Sequence, residues 1–223
     1  MPRRRRRSLQ GAIFHVMNRA VRRTVLFETV QDYRSFVVLV REALTRFKVK
    51  VIAYCLMPNH WHLVIICDRL EELSRCMHWL ESKHANRWNG AHGSRGTGAV
   101  YQDRFKAVPV QKNDSVRRVC RYVERNALRK GLVPQAELWA WSSLCPESQN
   151  CDTIPVSAWP IPRPSNWIEV VNAPETEAEL EDLRRLLRRN HPIGDADWQA
   201  AVAPYLGLTF REKGRPRKLD PTP

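Results

Sequence analysis

"KVKVIAYCLMPNHWHLVIIC", residues 48–67, places two β-rich runs, 48–57 and 60–67, on either side of Pro58 and Asn59. Val, Ile, Tyr and Trp suit a pleated surface and Pro-Asn is a turn-forming pair, so the stretch predicts an antiparallel hairpin. Its second run carries His60 and His62 inside an otherwise apolar sequence. A strand built only for packing would use Val or Ile at those positions, because imidazole is costly to bury without partners.

Outward from the hairpin, "GAIFHVMNRA" (11–20) alternates as a first strand, and "ETVQDYRSFVVLVREALTRF" (28–47) sets Tyr33, Phe36, Val37, Val40, Leu44 and Phe47 at helical spacing. A second helix starts near Leu70 with Leu73, Met77 and Leu80 on one face, and the glycines of "NGAHGSRGTG" (89–98) are expected to break it into a mobile loop. "AVYQDRFKAVPVQ" (99–111) then resumes as strand. The order strand, helix, strand, strand, helix, strand predicts an α+β protein. Its core is a ferredoxin-like, RRM-like βαββαβ unit: a four-stranded antiparallel sheet with helices on one face and the other face free to meet a ligand.

A further helix is expected from Asn113. Six of the fifteen prolines fall within 145–174, which reads as a linker draped over the surface, unable to hold a regular helix. "ETEAELEDLRRLLRRN" (175–190) puts acids first and arginines last, matching the helix macrodipole, and "REKGRPRKLDPTP" (211–223) reads as a flexible basic end. The expected organisation is a basic N-terminal arm 1–10, a main domain 11–144, a Pro-rich linker 145–174 and a C-terminal helical and basic tail 175–223.

Thirty-seven Lys and Arg against 23 Asp and Glu leave a formal charge of +14 and a pI near 10.1. That excess is beyond what solubility requires, and with runs such as "RRRRR" (3–7) it points to a polyanionic partner, nucleic acid, over a merely solvated basic surface. No apolar core follows the arginine run, as a signal peptide would need, and nowhere do about 18 apolar residues run together. A soluble, cytoplasmic, nucleoid-associated protein is expected. Cysteines at 55, 67, 76, 120, 145 and 151 form no Cys-x-x-Cys pair, which suits reduced, packed thiols better than a structural zinc.

Along a strand the side chains alternate, so His60, His62, Val64 and Ile66 share one face and Trp61, Leu63 and Ile65 the other. Two imidazoles about 6 to 7 Å apart along a strand can converge on one ion at roughly 2.0 to 2.2 Å. They can equally be two satisfied residues at the edge of a sheet. A metal needs a further ligand, and no third histidine lies nearby in sequence. The helix "NDSVRRVCRYVERNALRKGLV" (113–133) opens with Asn113, Asp114 or Ser115 as cap and has the core stripe Val116, Val119, Cys120, Val123 and Ala127. Tyr122 and Asn126 lie off that stripe, one turn apart, where both can address a single site, with Arg118, Arg125 and Arg129 nearby. An amphipathic tyrosine at a helix margin is the plainer alternative.

The His-hydrophobic-His motif of "PNHWHLV" (58–64), followed by a helix with one tyrosine in "YVERNALRKGLV" (122–133), resembles the single-tyrosine HUH transposases. With "HVMNRA" (15–20), "YCLMPNHWHLVI" (54–65), "QDRFK" (102–106) and "GRPRK" (214–218), the chain is most similar to the REP-associated tyrosine transposases of bacteria. The likeness spans Gly11 to Val133 and, more loosely, the tail.

The resemblance implies metal-dependent nicking and strand transfer of single-stranded DNA at palindromic hairpin repeats, through a 5′-phosphotyrosine intermediate. It assigns the nucleophile to Tyr122 and metal ligation to His60, His62 and Asn126, where related insertion-sequence enzymes usually have Gln. The implied cofactor is Mg²⁺ or Mn²⁺, and imidazole suits Mn²⁺ better. Arg19, Arg104, Lys106, Arg118, Arg125 and Arg129 are the expected DNA contacts, although Arg104 and Lys106 also fit an ordinary solvated strand. Trp88, Trp139, Trp141, Trp159 and Trp167 either stack unpaired bases or pack. The expected assembly is a monomer or homodimer. A non-catalytic basic nucleic-acid-binding module and a metal-dependent nuclease using water are the competing functions.

Overall fold

The runs flanking Pro58 and Asn59 form strands β2 (Val49–Met57) and β3 (His60–Cys67), paired antiparallel from Met57 opposite His60. The computed structural model describes residues 11–94, 96, 98–146 and 152–206; the basic arm 1–10 and the basic end 211–223 lie outside them. Strands β1 (Ala12–Arg19) and β4 (Lys106–Val110) complete one antiparallel sheet in the order β2-β3-β1-β4. Helices α1 (Val30–Arg46) and α2 (Leu70–Ala91) are the crossovers, so the α+β βαββαβ core is as the sequence predicts.

Alternation sorts the two sheet faces. Phe14 and Val16 of β1, Trp61, Leu63 and Ile65 of β3, and Val51, Tyr54 and Leu56 of β2 pack with Phe36 and Val40 of α1 and with Leu73, Met77 and Leu80 of α2. A register shift between Val51 and Ala53 keeps this parity along β2. Helix α1 starts at a capping box in which the Thr29 hydroxyl accepts from Asp32 N–H while Asp32 accepts from Thr29 N–H.

The opposite face, expected to be free, is largely covered. Helix α3 (Asp114–Glu124), capped by Asn113, lays Val116, Val119, Cys120 and Val123 on Ile13, Val64 and Val108, and α4 (Asn126–Arg129) continues it with Ala127. Those sheet residues are apolar, and leaving each in water forfeits about 1.5 to 3 kcal/mol, which the helical stripe recovers. Gly131, at φ 68°, ends α4 with Leu132 N–H bonded to Ala127 C=O, a Schellman stop.

Other boundaries differ from expectation. Helix α2 continues through Asn89 and Gly90 to Ala91, and residues 99–105 form no continuous strand: only Tyr101 bridges to Ala20 before β4 begins. The Tyr101 hydroxyl is buried instead, accepting from Trp61 Nε1 at 3.1 Å and bonded to His84 Nδ1 at 2.7 Å. The described residues 152–174 of the proline-rich segment are pinned to the domain at particular positions. Ile154 and Trp167 are buried, and Trp159 Nε1 donates to Ile52 C=O at 3.0 Å. It also holds helix α5 (Trp167–Asn172), which fits between Pro164 and Pro174 and therefore meets no ring.

Helix α6 (Glu177–Arg188) buries Leu183 and Leu187 against the same core as α3. Helix α7 (Ala196–Leu206) was not foreseen. Before it, Ile193 exchanges backbone bonds with Pro109 and Gln111, shielding the β4 edge. Among the described residues no helix is long and apolar enough to cross a membrane. The described cysteines, 55, 67, 76, 120 and 145, are all buried and free; Cys151 lies outside the described residues.

Candidate active site

Because β3 alternates, His60 and His62 both face α3, with ring centroids 4.9 Å apart. A third imidazole joins them. His15, fully buried on β1 opposite Val64, stacks on His62 with centroids 5.0 Å apart and places Nε2 2.9 Å from His62 Nδ1. The sequence reading missed it because the two strands are 47 residues apart in the chain; strand alternation puts His15 on the same face as Met17 and Arg19, but their pairing with His62 and His60 is set only by the folded sheet.

Burial disfavours the imidazolium at all three rings. His15 is pushed down to about 4. His60 is pushed down to about 3 by burial first and then by Arg19, Lys130 and Arg129, and His62 well below its ordinary range by burial and the neighbouring histidines. All three are therefore neutral at pH 7. His60 Nδ1 bonds Asn59 Oδ1 at 2.7 Å and His62 Nδ1 bonds His15, so Nε2 of each ring is left without a hydrogen bond among the described residues.

Helix α3 brings Tyr122 to this cluster, edge-on to His62 at 6.0 Å and to His15 at 6.3 Å. One chain thus supplies both the tyrosine and the histidines. Asn126, at the first position of α4, is buried with its Nδ2 unpartnered. The next residue, Ala127, directs its N–H to the Cys55 thiol, and Cys55 is the β2 partner of His62, so the start of α4 lies over the histidine strand. Among the described residues no group of three or more His, Cys, Asp or Glu side chains is placed to hold a metal. Two neutral imidazoles with open Nε2 atoms nevertheless fit a divalent cation whose remaining ligands come from substrate, and Asn126 would join them through its carbonyl oxygen, since its unpartnered Nδ2 is a donor.

Tyr122 also lines an open cleft of about 350 Å³ together with Met17, Arg19, Arg104, Lys106 and, from α6, Arg184 and Arg188. None of the three histidines lines this cleft: His60 and His62 sit on β3 opposite Arg19 and Met17, and His15 shares β1 with those two residues. Arg19 has its Nε buried without a partner. The cleft is thus rimmed by cations from β1, the loop before β4, β4 itself and α6, of which Arg184 and Arg188 escaped the sequence reading.

The arginines of α3 and α4 are engaged within the chain. Arg118 bonds Asp182 at 2.7 Å, and Arg125 donates to Val171 C=O at 2.6 Å and Asn172 C=O at 2.7 Å. Glu175 lies 3.4 Å from Arg125 and 3.1 Å from Arg129. These side chains fasten the tyrosine helix to the segment leading into α6. The five tryptophans considered for base stacking are likewise occupied: Trp88, Trp139 and Trp159 donate to the backbone of Leu26, Leu56 and Ile52, Trp167 donates to Glu124, and Trp141 stacks on Tyr33.

Residues 8–126, more than half of the chain, match the IS200-like transposase family, and the chain belongs to that family. Among solved structures, one described as a REP-associated tyrosine transposase bound to a REP hairpin shares its fold at a TM-score of 0.51 and 19% identity, over 64% of this chain and 82% of that one. A transposase from Deinococcus radiodurans R1 aligns at a TM-score of 0.40 and 16% identity, over 56% of this chain and 96% of its own. No curated protein matches the chain.

Proposed function

We propose that this protein, as a REP-associated member of its family, cuts and rejoins single-stranded DNA beside palindromic hairpins, with Tyr122 as the nucleophile. The observation that carries this reading is the position of Tyr122, 6.0 Å from the His62 ring and on the wall of a cleft rimmed by arginines. In the first step the Tyr122 oxygen attacks the scissile phosphate, a P–O bond to tyrosine forms, the P–O3′ bond breaks, and the departing oxygen takes a proton to become a free 3′-OH. In the second, another 3′-OH attacks the phosphotyrosine, the new phosphodiester forms and the tyrosine hydroxyl is restored. Bond energy is kept throughout, so no external energy source is needed.

A phenol ionises near pH 10 in water and is a weak nucleophile at neutral pH. Arg129 supplies fixed positive charge at its ring, 4.2 Å from the centroid. His60, His62 and Asn126 would hold a divalent cation, Mg²⁺ or Mn²⁺, which when bound supplies Lewis-acid polarisation of the phosphate. Arg19, Arg104 and Lys106, with Arg184, are suited to hold the strand by its phosphates, whereas Arg188 is paired with Glu181, and Arg118 and Arg125 serve DNA only through the segment they anchor. Since tyrosine and histidines come from one chain, a monomer suffices for a complete site.

The test is incubation with labelled hairpin oligonucleotides, with and without Mn²⁺, followed by denaturing electrophoresis of wild type beside Tyr122→Phe. A metal-dependent adduct that vanishes in Tyr122→Phe is expected. Cleavage without an adduct would move the reaction to water as nucleophile, and binding without cleavage would leave a nucleic-acid-binding module.

A further inference from the structure

The turn between β2 and β3 is an unusual choice for a two-residue hairpin. Such turns favour left-handed residues at the corner, which match the strand twist, yet neither Pro58 nor Asn59 adopts positive φ. The turn is held from outside instead: Ala20 N–H donates to Asn59 C=O at 3.0 Å, and Leu26 and Phe27 N–H donate to Pro58 C=O at 2.7 and 2.9 Å. Local turn preference alone therefore does not explain this corner.

The Asn59 side chain supplies a reason. Its Nδ2 donates to Arg23 C=O at 3.4 Å, an acceptor only, which fixes the orientation of the amide. Its Oδ1 then faces His60 Nδ1 at 2.7 Å, and a carbonyl oxygen can only accept. We infer that Asn59 is a positioning residue that holds His60 in the tautomer protonated on Nδ1, so that the lone pair sits on Nε2.

A neutral imidazole has one N–H and one lone pair, and only the nitrogen with the lone pair can ligate a cation. With the proton on Nε2, the nitrogen left over by Asn59 would be blocked. The role rests on the metal reading of His60 proposed above, but the tautomer is a property of the protein by itself and is measured without metal. His62 cannot be assigned the same way, because its partner, His15 Nε2, can either donate or accept. Asn59 acts on one ring only.

The experiment is long-range ¹H–¹⁵N correlation of the histidine side chains at neutral pH in metal-free wild type, Asn59→Ala and Asn59→Asp. It is paired with Mn²⁺ titration followed by electron paramagnetic resonance, and circular dichroism melts establish that each variant folds. Wild type and Asn59→Asp, which keeps an acceptor, are expected to carry the His60 proton on Nδ1. Asn59→Ala is expected to populate the Nε2–H form and to bind Mn²⁺ about 10- to 100-fold more weakly, as loss of a partner that orients a ligand typically does. A wild-type His60 protonated on Nε2, or an Asn59→Ala variant with unchanged tautomer or unchanged Mn²⁺ affinity, would overturn the inference. A wild type with the expected tautomer but no affinity for Mn²⁺ would instead remove the metal reading and uphold the tautomer assignment.

Discussion

Arg129 stacks on Tyr122: its guanidinium carbon lies 4.2 Å from the ring centroid, and its Nη2 donates to the Tyr122 carbonyl at 3.1 Å. The cation and the phenol it covers are seven residues apart on α3 and α4, so the contact depends on the helix continuing past the interruption at Arg125. Replacing Arg129 with Met keeps the stem and removes the charge. The expected outcome is adduct formation slowed about tenfold or more in single-turnover assays, with DNA affinity changed much less. An unchanged rate would mean that the stack only packs the helix.

The cleft arginines and the anchoring arginines should separate in a salt titration. Arg104→Ala and Arg184→Ala are each expected to weaken binding to any single strand and to lower the slope of log K against log salt by about 0.7, the value for one lost phosphate contact. Arg118→Ala is expected to leave that slope unchanged and to reduce stability to urea, because it removes the bonds to Asp182 Oδ2 and the Glu179 carbonyl that tie α3 to α6. Equal slopes for all three variants would contradict the assignment.

Glu81 makes stability depend on pH. It accepts from Asn18 Nδ2 at 2.6 Å, and burial, outweighing that bond and one from the Phe105 N–H, pushes its carboxyl up to about 7 from an ordinary 4.5. Between those values the folded chain keeps a proton that the unfolded chain has released, so stability falls as pH rises through that window. Glu81→Gln should remove a decline on the order of 3 kcal/mol, read as the difference in urea midpoints between variant and wild type over roughly pH 4 to 8. Parallel profiles for the two proteins would show that the carboxyl titrates in its ordinary range.

A site completed within one chain predicts that inactive variants do not rescue each other. A mixture of Tyr122→Phe and His62→Ala should form no more adduct than either alone, since each chain lacks a part that its own α3 or β3 must supply. Recovery to about a quarter or more of wild-type adduct, the share expected of randomly paired chains that trade the tyrosine helix, would show exchange between subunits.

Much of the fold was legible along the chain because its signals are local. The 48–67 hairpin, the capped helix α1 and the α3 stripe each announce themselves through a period or a cap within some twenty residues, and the βαββαβ order follows from their succession. His60 and His62 sharing a face is likewise set by strand alternation alone. Helix α5 failed to announce itself because six residues between prolines leave no periodic pattern to read.

What required tertiary structure is whatever depends on register between distant strands and on who occupies an arginine. His15 meets His62 only because β1 lies between β3 and β4 with His15 opposite Val64, a pairing that no local pattern encodes. The basic residues of α3 look alike in sequence, yet a guanidinium that finds an acidic or carbonyl partner in its own chain is no longer available to a phosphate, and packing of the 171–182 segment against α3 decided which ones do. The sequence by itself determined the elements of the βαββαβ core, the paired histidines and the one tyrosine of α3. Folding decided their neighbours, because hydrogen bonds and charge pairs act over a few ångströms in space, whatever the separation along the chain.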